Sequence, residues 1–289
     1  MEQRSVVANG LSFACLEDGP AHGPLALCLH GFPDTAHTWR HLLPELADAG
    51  FHAVAPFMRG YAPTDVPPDG RYQIGALVGD ANALHEALGG GADAVLIGHD
   101  WGAMATYGAV AHQPDRWRRA VTAAVPPLAG IGEHFFAYEQ LRRSWYTFLF
   151  QTPLAEVAVP HDRYRFLECL WADWSPGYDG SFDVARVKEA IGTPERTAAA
   201  IGYYRALYDD AGHDPSLAAE QAAASQPLSR PTLYLHGQDD GAFGIECIGD
   251  PLRYLGEGSR VSVVADAGHF LHLEHPAEVN GEIVDFLGR

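Results

Sequence analysis

The chain has 289 residues, with 37 acidic side chains against 19 Lys and Arg, so its formal net charge is −18 with histidine neutral. Hydrophobic residues make up 47% of the sequence, which excludes an intrinsically disordered protein despite the acidic balance. A surface this acidic repels phosphate backbones and anionic lipid head groups, so we expect no nucleic-acid and no membrane partner.

The cysteines and the N-terminal residues indicate in which cellular compartment the protein is expected. Cys15, Cys28, Cys169 and Cys247 are scattered without a C-x-x-C pair, which argues against a disulfide framework and a structural zinc site. No apolar signal segment follows the first residues, and no apolar stretch reaches the ~20 residues needed to span a bilayer. We therefore expect a cytoplasmic protein, as a monomer or a homodimer.

The first 128 residues alternate short apolar runs with stretches that carry apolar residues at helical spacing. Such runs bounded by turn residues predict strands, and the longer periodic stretches predict helices. The predicted strands are residues 25–29, 52–55, 94–97 and 120–125, and the predicted helices are 38–49, 74–88 and 103–111. This alternation indicates a mostly parallel sheet flanked by helices, an α/β fold.

The composition changes between residues 129 and 226. This segment holds seven of the 12 tyrosines and three of the six tryptophans, shows no strand alternation, and is predicted to be helical. Strand signals return at 232–236 and 260–265, and residues 277–287 are predicted to form a helix. We interpret residues 1–128 and 227–289 as one core domain, with residues 129–226 inserted as a helical lid.

The sharpest motif is Gly98-His99-Asp100-Trp101-Gly102, which joins a predicted strand to a predicted helix. This context is typical of a nucleophile elbow, where glycines allow strand and helix backbones to approach closely. The middle side chain then lies above the sheet, beside the N-terminus of a helix that stabilises a carboxylate. The same short motif also occurs in simple tight turns, so it is not conclusive alone.

The middle residue of the motif is Asp100, which determines the chemistry. A carboxylate is a poor nucleophile toward ordinary esters but can attack an sp³ carbon and form a covalent alkyl ester. Epoxides and alkyl halides are substrates that react in this way. The motif therefore predicts one of these two substrate classes.

The chain resembles the α/β-hydrolase superfamily, and within it the epoxide hydrolases, essentially from end to end. The resemblance rests on His30-Gly31-Phe32-Pro33, Arg59-Gly60-Tyr61, the elbow motif and Gly268-His269-Phe270. It implies an α/β-hydrolase fold with an inserted lid. It also implies that the backbone N–H groups of Phe32 and Trp101 form the oxyanion hole.

The resemblance also assigns a base and an acid. His269 follows the last predicted strand and Gly268, at the position of the catalytic base. The acid that orients this base is expected three residues past Gly237, at Asp240, with Asp239 as the alternative. The order Asp100, Asp240, His269 agrees with that of the superfamily.

The histidines near the C-terminus also have a spacing that suggests metal binding. His269, His272 and His275 are three residues apart, but no set of carboxylates or cysteines accompanies them at a known metal-binding spacing. We therefore expect no metal and no organic cofactor.

The lid is expected to distinguish epoxides from halides. Opening an epoxide leaves an alkoxide-like oxygen, which two tyrosine hydroxyls can hydrogen-bond or protonate. The resemblance points to Tyr146 and to Tyr204, with Tyr203 as a rival for the second role. Phe32, Trp101 and Trp145 are expected to line an apolar substrate pocket.

The sequence therefore predicts an epoxide hydrolase that takes a small apolar epoxide and water and forms a vicinal diol through a covalent ester on Asp100. A haloalkane dehalogenase that uses the same Asp, His and Asp set is the alternative. A non-catalytic receptor of the same fold is a third reading, which would leave the complete catalytic set unexplained.

Overall fold

The computed structural model describes residues 1–288. Eight strands form one sheet, and their bounds are β1 (Glu2–Ala8), β2 (Leu11–Asp18), β3 (Leu25–Leu29), β4 (His52–Pro56), β5 (Val95–His99), β6 (Arg119–Ala123), β7 (Thr232–Gly237) and β8 (Arg260–Val264). Their order across the sheet is β1-β2-β4-β3-β5-β6-β7-β8. The pairs β1/β2 and β2/β4 are antiparallel, and the remaining pairs are parallel.

Thirteen α-helices connect and cover these strands in residues 1–288. They are α1 (Leu42–Asp48), α2 (Ile74–Ala87), α3 (Trp101–His112), α4 (Leu128–Ile131), α5 (Tyr138–Arg143), α6 (Trp145–Leu149), α7 (Ala155–Ala158), α8 (His161–Trp174), α9 (Ser181–Ile191), α10 (Pro194–Tyr208), α11 (Ala218–Ala223), α12 (Leu271–Glu274) and α13 (Pro276–Gly288). None of these helices is long and apolar enough to cross a membrane.

The central strands form the core of the molecule. Every residue of β3, β4, β5 and β7 is buried, as expected for parallel strands covered on both faces. Helices α2 and α3 pack against each other and against the sheet, and α1 packs against β4 and α13. The α/β-hydrolase fold with a mostly parallel sheet flanked by helices is thus confirmed.

The N-terminal hairpin was not among the predicted strands. Strands β1 and β2 pair along their whole length, from Glu2 opposite Glu17 to Ala8 opposite Leu11. Asn9 and Gly10 connect them, and both have positive φ, at 45° and 76°. Asn-Gly is the sequence preferred for such a two-residue turn, because both central residues adopt left-handed conformations.

The chain between β6 and β7 forms helices α4 to α11 and contains no strand in the described structure. This stretch contains the residues expected to form the lid. Its last helix, α11, packs against α2 and α3 of the sheet layer rather than on the other inserted helices. We retain the division into a core of 1–128 and 227–289 and a lid of 129–226 as a proposal.

The topology brings distant parts of the chain to one edge of the sheet. Four strands, β3, β5, β7 and β8, run parallel to one another. The loops that follow them therefore all lie along the edge formed by the carboxyl ends of the strands. Asp100, Asp240 and His269 all lie in these loops. In open α/β sheets this edge is where ligands bind.

Candidate active site

Asp100 lies in a sharp turn between β5 and α3. Its backbone has φ 52° and ψ −117°, a conformation that a non-glycine residue rarely adopts. A Cβ atom on Gly98 would collide with the backbone of Gly102, and one on Gly102 would collide with the backbone of Leu29. The two glycines therefore allow the strand and helix to meet closely, as the elbow motif predicts.

The carboxylate of Asp100 is held by a backbone N–H group. The N–H of Phe32 donates to Oδ1 at 2.7 Å, and a side chain at Gly31 would overlap this carboxylate. Trp101 is the first residue of α3, where an N–H group has no acceptor within the helix. The predicted oxyanion donors thus lie next to the nucleophile, and one of them already contacts it.

His269 and Asp240 form a buried pair behind Asp100. The Nδ1 atom of His269 lies 3.0 Å from Oδ2 and 3.2 Å from Oδ1 of Asp240. Oδ1 also accepts hydrogen bonds from the N–H groups of Ala242 and Phe243, which fix the carboxylate. Asp239, the alternative acid, is exposed to solvent, so the structure favours Asp240.

The other ring nitrogen of His269 faces the nucleophile. Nε2 lies 3.7 Å from Oδ2 of Asp100, too far for a direct hydrogen bond. Within residues 1–288 this buried Nε2 has no hydrogen-bond partner. It is therefore available to a water molecule next to the Asp100 carboxylate.

The two carboxylates control the charge of His269. Burial alone would lower the pKa of His269, but the negative charges of Asp240 and Asp100 outweigh this effect and raise it to about 10. Burial would likewise raise the pKa of Asp240, yet the charge and hydrogen bond of His269 hold it below the usual aspartate range. The site thus favours an imidazolium between two carboxylates while Asp100 is charged.

Tyr146 and Tyr204 meet over the nucleophile. Their ring centroids are 5.5 Å apart, and Tyr204 also packs edge-on against Phe32 and Trp101 at 5.1 Å. The buried Tyr204 hydroxyl has no hydrogen-bond partner among the described residues. Burial raises the pKa of both hydroxyls well above the usual tyrosine range, with a further contribution from the charge of Asp100, so both remain protonated donors.

Tyr203, the rival lid tyrosine, points elsewhere. Its hydroxyl donates to the backbone oxygen of Arg59 at 2.8 Å, and its ring packs on Tyr61 and Tyr72. This hydroxyl is already used in a structural hydrogen bond. The geometry therefore favours Tyr204 over Tyr203 as the second donor to substrate.

A cavity of roughly 310 Å³ opens above Asp100. Asp100 is the only charged side chain among the described lining residues, and both Tyr146 and Tyr204 contribute to the wall. The apolar part of the wall comes from sheet and lid alike: Ile74, Trp101, Met104, Val125, Leu128, Ile131, Phe135, Phe136, Leu207 and Phe243. The volume is at the lower end of the range for small-molecule sites.

Two residues predicted to line the pocket, Phe32 and Trp145, are not among the residues that line this cavity. Phe32 is buried and packs edge-on against Phe150 and Tyr204. Trp145 is 47% exposed, packs on Phe166 and Tyr146, and lines a separate surface depression with Trp174 and Gly241. We therefore assign Trp145 no contact with substrate.

The sequence reasoning missed the residues that hold the loop of His269. The ring of Trp174, at the end of α8, lies 5.0 Å from His269, and its backbone oxygen accepts the His269 N–H. Ser175 accepts the N–H of Phe270 and donates to Glu274, which in turn accepts the N–H of Gly268. No sequence motif marks Ser175, which lies about a hundred positions before its partners.

Comparisons with known proteins agree with this geometry. Residues 24–276 match the family model described as alpha/beta hydrolase fold. Epoxide hydrolase 3 of Mus musculus is 31% identical over 98% of this chain and 75% of its own length. Epoxide hydrolase A of Mycobacterium tuberculosis is 28% identical and covers 99% of this chain and 97% of its own.

Solved structures give the same result. Epoxide Hydrolase A from Mycobacterium thermoresistibile superposes with a TM-score of 0.80 at 26% identity, covering 99% of this chain and 98% of its own. A Bacillus megaterium epoxide hydrolase in complex with an inhibitor has a TM-score of 0.80 at 26% identity, covering 99% of this chain and all of its own. The chain belongs to the α/β-hydrolase family and, within it, to the epoxide hydrolases.

Proposed function

We propose that this chain hydrolyses epoxides to vicinal diols through a covalent ester on Asp100. The observation that carries the proposal is the placement of Asp100 between two sets of groups. The unpartnered hydroxyl of Tyr204 lies in the cavity with it, and the Asp240–His269 pair lies behind it. The names of the relatives support the same activity.

The first step forms the ester. Tyr146 and Tyr204 hydrogen-bond the epoxide oxygen, which polarises the ring and orients one carbon toward Asp100. Oδ2 of Asp100 attacks this carbon while the carbon–oxygen bond breaks, and a tyrosine proton neutralises the alkoxide. We assign the attack to Oδ2 because Oδ1 is held by the N–H of Phe32.

The second step hydrolyses the ester. His269, oriented by Asp240, removes a proton from a water molecule that attacks Cγ of Asp100. The negative charge develops on Oδ1, where the N–H groups of Phe32 and Trp101 stabilise it. The bond between Cγ and Oδ2 then breaks, so Oδ2 leaves with the diol and the water oxygen stays on Asp100. One proton of the water passes to the departing oxygen, and the other, taken up by His269, restores the tyrosine that gave up its proton.

The change in charge on Asp100 couples the two steps. While Asp100 is a carboxylate, its charge helps to raise the pKa of His269 and favours the imidazolium. Formation of the ester removes this charge, so the pKa of His269 falls and the neutral imidazole becomes more populated. A larger fraction of His269 is therefore unprotonated, and so able to accept a proton, at the stage when a base is needed.

The cavity restricts the substrate to small neutral epoxides with apolar substituents. A second charge would enter a wall that is almost entirely apolar and aromatic, where burying an unpaired charge is costly. No step requires a residue from a second copy, so a monomer or a homodimer is expected to be active. A cytoplasmic location stays a prediction from the sequence.

The test is to trap the ester in a His269→Gln variant. After styrene oxide is added, the intact mass should rise by the whole mass of the epoxide, and peptide mapping should place the adduct on Asp100. His275→Gln is the matched control because His275 lies just beyond α12 and outside the site, with its ring 3.0 Å from the backbone oxygen of Asp266, and this variant should turn over without an adduct. No adduct on the variant, together with a wild-type protein inert to a panel of apolar epoxides, would overturn the proposal. Halide release from alkyl halides would instead identify a dehalogenase.

A further inference from the structure

A second group of polar side chains is buried behind the catalytic histidine. Asp34, His99 and His272 come from three distant parts of the chain, and all are completely or almost completely buried. One ligand-type atom from each lies within 4.8 Å of the other two. The ring of His99 is 4.7 Å from the rings of both His269 and His272, so this cluster adjoins the site without sharing its atoms.

Fixed hydrogen bonds determine which atoms the cluster presents. Nε2 of His99 donates to the backbone oxygen of His269 at 2.9 Å, which leaves Nδ1 as a lone-pair acceptor. Nε2 of His272 lies 2.6 Å from the hydroxyl of Thr38, so this ring nitrogen already has a partner. Nδ1 of His272 is the ring nitrogen left without one.

Three polar atoms of the cluster thus lack a hydrogen-bond partner. Oδ2 of Asp34, Nδ1 of His99 and Nδ1 of His272 are all buried, and none has a hydrogen-bond partner within residues 1–288. A buried polar atom left unpaired costs free energy, so such groups are expected to have a partner.

We propose that Asp34, His99 and His272 form a buried binding site for one divalent transition-metal cation of the Zn²⁺ class. Two imidazole nitrogens and one carboxylate are a ligand set that such cations favour. Bonds of about 2.0–2.1 Å in tetrahedral geometry place ligand atoms roughly 3.4 Å apart, so small side-chain movements would close the site.

The surroundings of the three residues support this assignment. Metal-binding histidines usually donate their other ring nitrogen to a carbonyl, a carboxylate or water, as His99 does here to the backbone oxygen of His269. The indole of Trp39 stacks on His272 at 4.8 Å and restricts the ring. The remaining oxygen of Asp34 accepts the N–H of Thr35 at 2.7 Å, which orients Oδ2 toward the cluster.

The binding test uses Zn²⁺ in chelator-buffered equilibrium dialysis on the full-length protein. One equivalent should bind to the wild type, and affinity should fall at least tenfold in His272→Gln and in Asp34→Asn. His275→Gln is the matched control, since His275 lies at the end of the helix that contains His272, and it should bind as the wild type does. His269→Gln should also retain binding, because the catalytic histidine is not a ligand. Equal affinity in His272→Gln and wild type, or loss of binding in His269→Gln, would overturn the proposal.

A second measurement avoids reliance on variants that could unfold. Wild-type crystals soaked in Zn²⁺ should show an anomalous scattering peak bonded to both Nδ1 atoms and to Asp34. The soaked crystals could instead show a water molecule between the three side chains and no anomalous peak. The unpartnered atoms would then be hydrogen-bonded to water, and the cation site would be overturned. Neither readout depends on epoxide turnover, so the result is independent of the proposed function.

Discussion

At the scale of single residues, the two adjacent tyrosines of α10 differ in the groups that their hydroxyls face. Tyr204 lies in the cavity with its hydroxyl unpartnered, whereas the hydroxyl of Tyr203 is bonded to the backbone of Arg59. The sequence could not separate them, since neighbours on a helix point about 100° apart and the sequence does not show which one faces the nucleophile. The same holds for Asp239 and Asp240, of which only the latter is buried beside His269.

This contrast gives the first prediction. Tyr204→Phe removes a donor to the epoxide oxygen, so the rate of ester formation should fall by about 10²-fold, the range for losing one acid–base group. Hydrolysis of an ester already formed should be nearly unchanged. Rapid-quench experiments with intact-mass detection separate the two rates.

Tyr203→Phe is the matched control for this experiment. It should keep both rates and lose about 1 kcal/mol of the free energy of unfolding, because only the bond to the Arg59 oxygen disappears. If Tyr203→Phe slows ester formation as strongly as Tyr204→Phe does, the assignment of Tyr204 is wrong.

Two residues of the site, in contrast, could be singled out from the sequence alone. Asp100 and His269 lie within short motifs whose glycines are required by close backbone contacts. Such a requirement leaves a signal in one stretch of sequence, so the motif and the geometry agree. Trp145 has no such constraint, and the half-exposed position of its ring could not be read from an aromatic-rich segment.

At the scale of elements, the end of α8 is joined to the loop between β8 and α12. Ser175 Oγ lies 2.7 Å from Glu274, accepts the N–H of Phe270 at 3.0 Å, and Glu274 accepts the N–H of Gly268 at 2.9 Å. These bonds hold the residues immediately before and after His269, Gly268 and Phe270. The inserted helices therefore hold the catalytic base as well as cover the cavity.

The second prediction concerns this connection. Glu274→Gln replaces one carboxylate oxygen with an amide NH₂, so either Ser175 or Gly268 loses its acceptor. We expect ester hydrolysis to slow by about tenfold while ester formation is preserved, because misplacement of a catalytic group is costly. Pre-steady-state kinetics should show accumulation of the Asp100 ester.

A purely structural role would give a different result. It would lower the thermal stability and both rates together, and ester would not accumulate. Glu278→Gln, which changes an exposed carboxylate near the start of α13, provides the control and should leave both rates unchanged. Equal behaviour of the two variants would contradict the positioning role of Glu274.

At the scale of the whole molecule, the parallel part of the sheet was predictable and its antiparallel edge was not. Strands β3 to β7 are short runs that are almost entirely buried, and such runs stand out in a sequence. The hairpin of β1 and β2 has a largely exposed first strand, so it lacks a comparable run. Its signal was instead the Asn9-Gly10 pair between two β-prone stretches.

The order of the strands depends on contacts that span the chain. Strand β6 pairs with β7 although about a hundred residues separate them, and only tertiary packing decides this. A resemblance to a family supplies such information, because the topology is common to its members. This is why the fold could be predicted together with a proposed set of catalytic residues, whereas the cluster of Asp34, His99 and His272 emerged only from the structure.

The last prediction links the site to the stability of the whole protein. The pKa of His269 is 6.5 in the reference state and is raised in the folded protein, mainly by Asp240. Its contribution to stability is therefore complete below pH 6.5 and is lost as the pH rises toward the folded value. Between about pH 7 and 8, this group should lower the free energy of unfolding by up to about 1.4 kcal/mol per pH unit.

Denaturant titrations of wild type and variants across this interval test the claim. The window excludes the buried thiols, whose titration in the unfolded chain begins near their reference pKa of 9.0. His269→Gln removes the titrating group and Asp240→Asn removes the main charge that raises its pKa, so both should show a flatter slope than wild type. Asp239→Asn changes the exposed neighbour and should keep the wild-type slope. Parallel slopes in all four proteins would mean that His269 is not held as an imidazolium, and the coupling between ester formation and base strength would then be wrong.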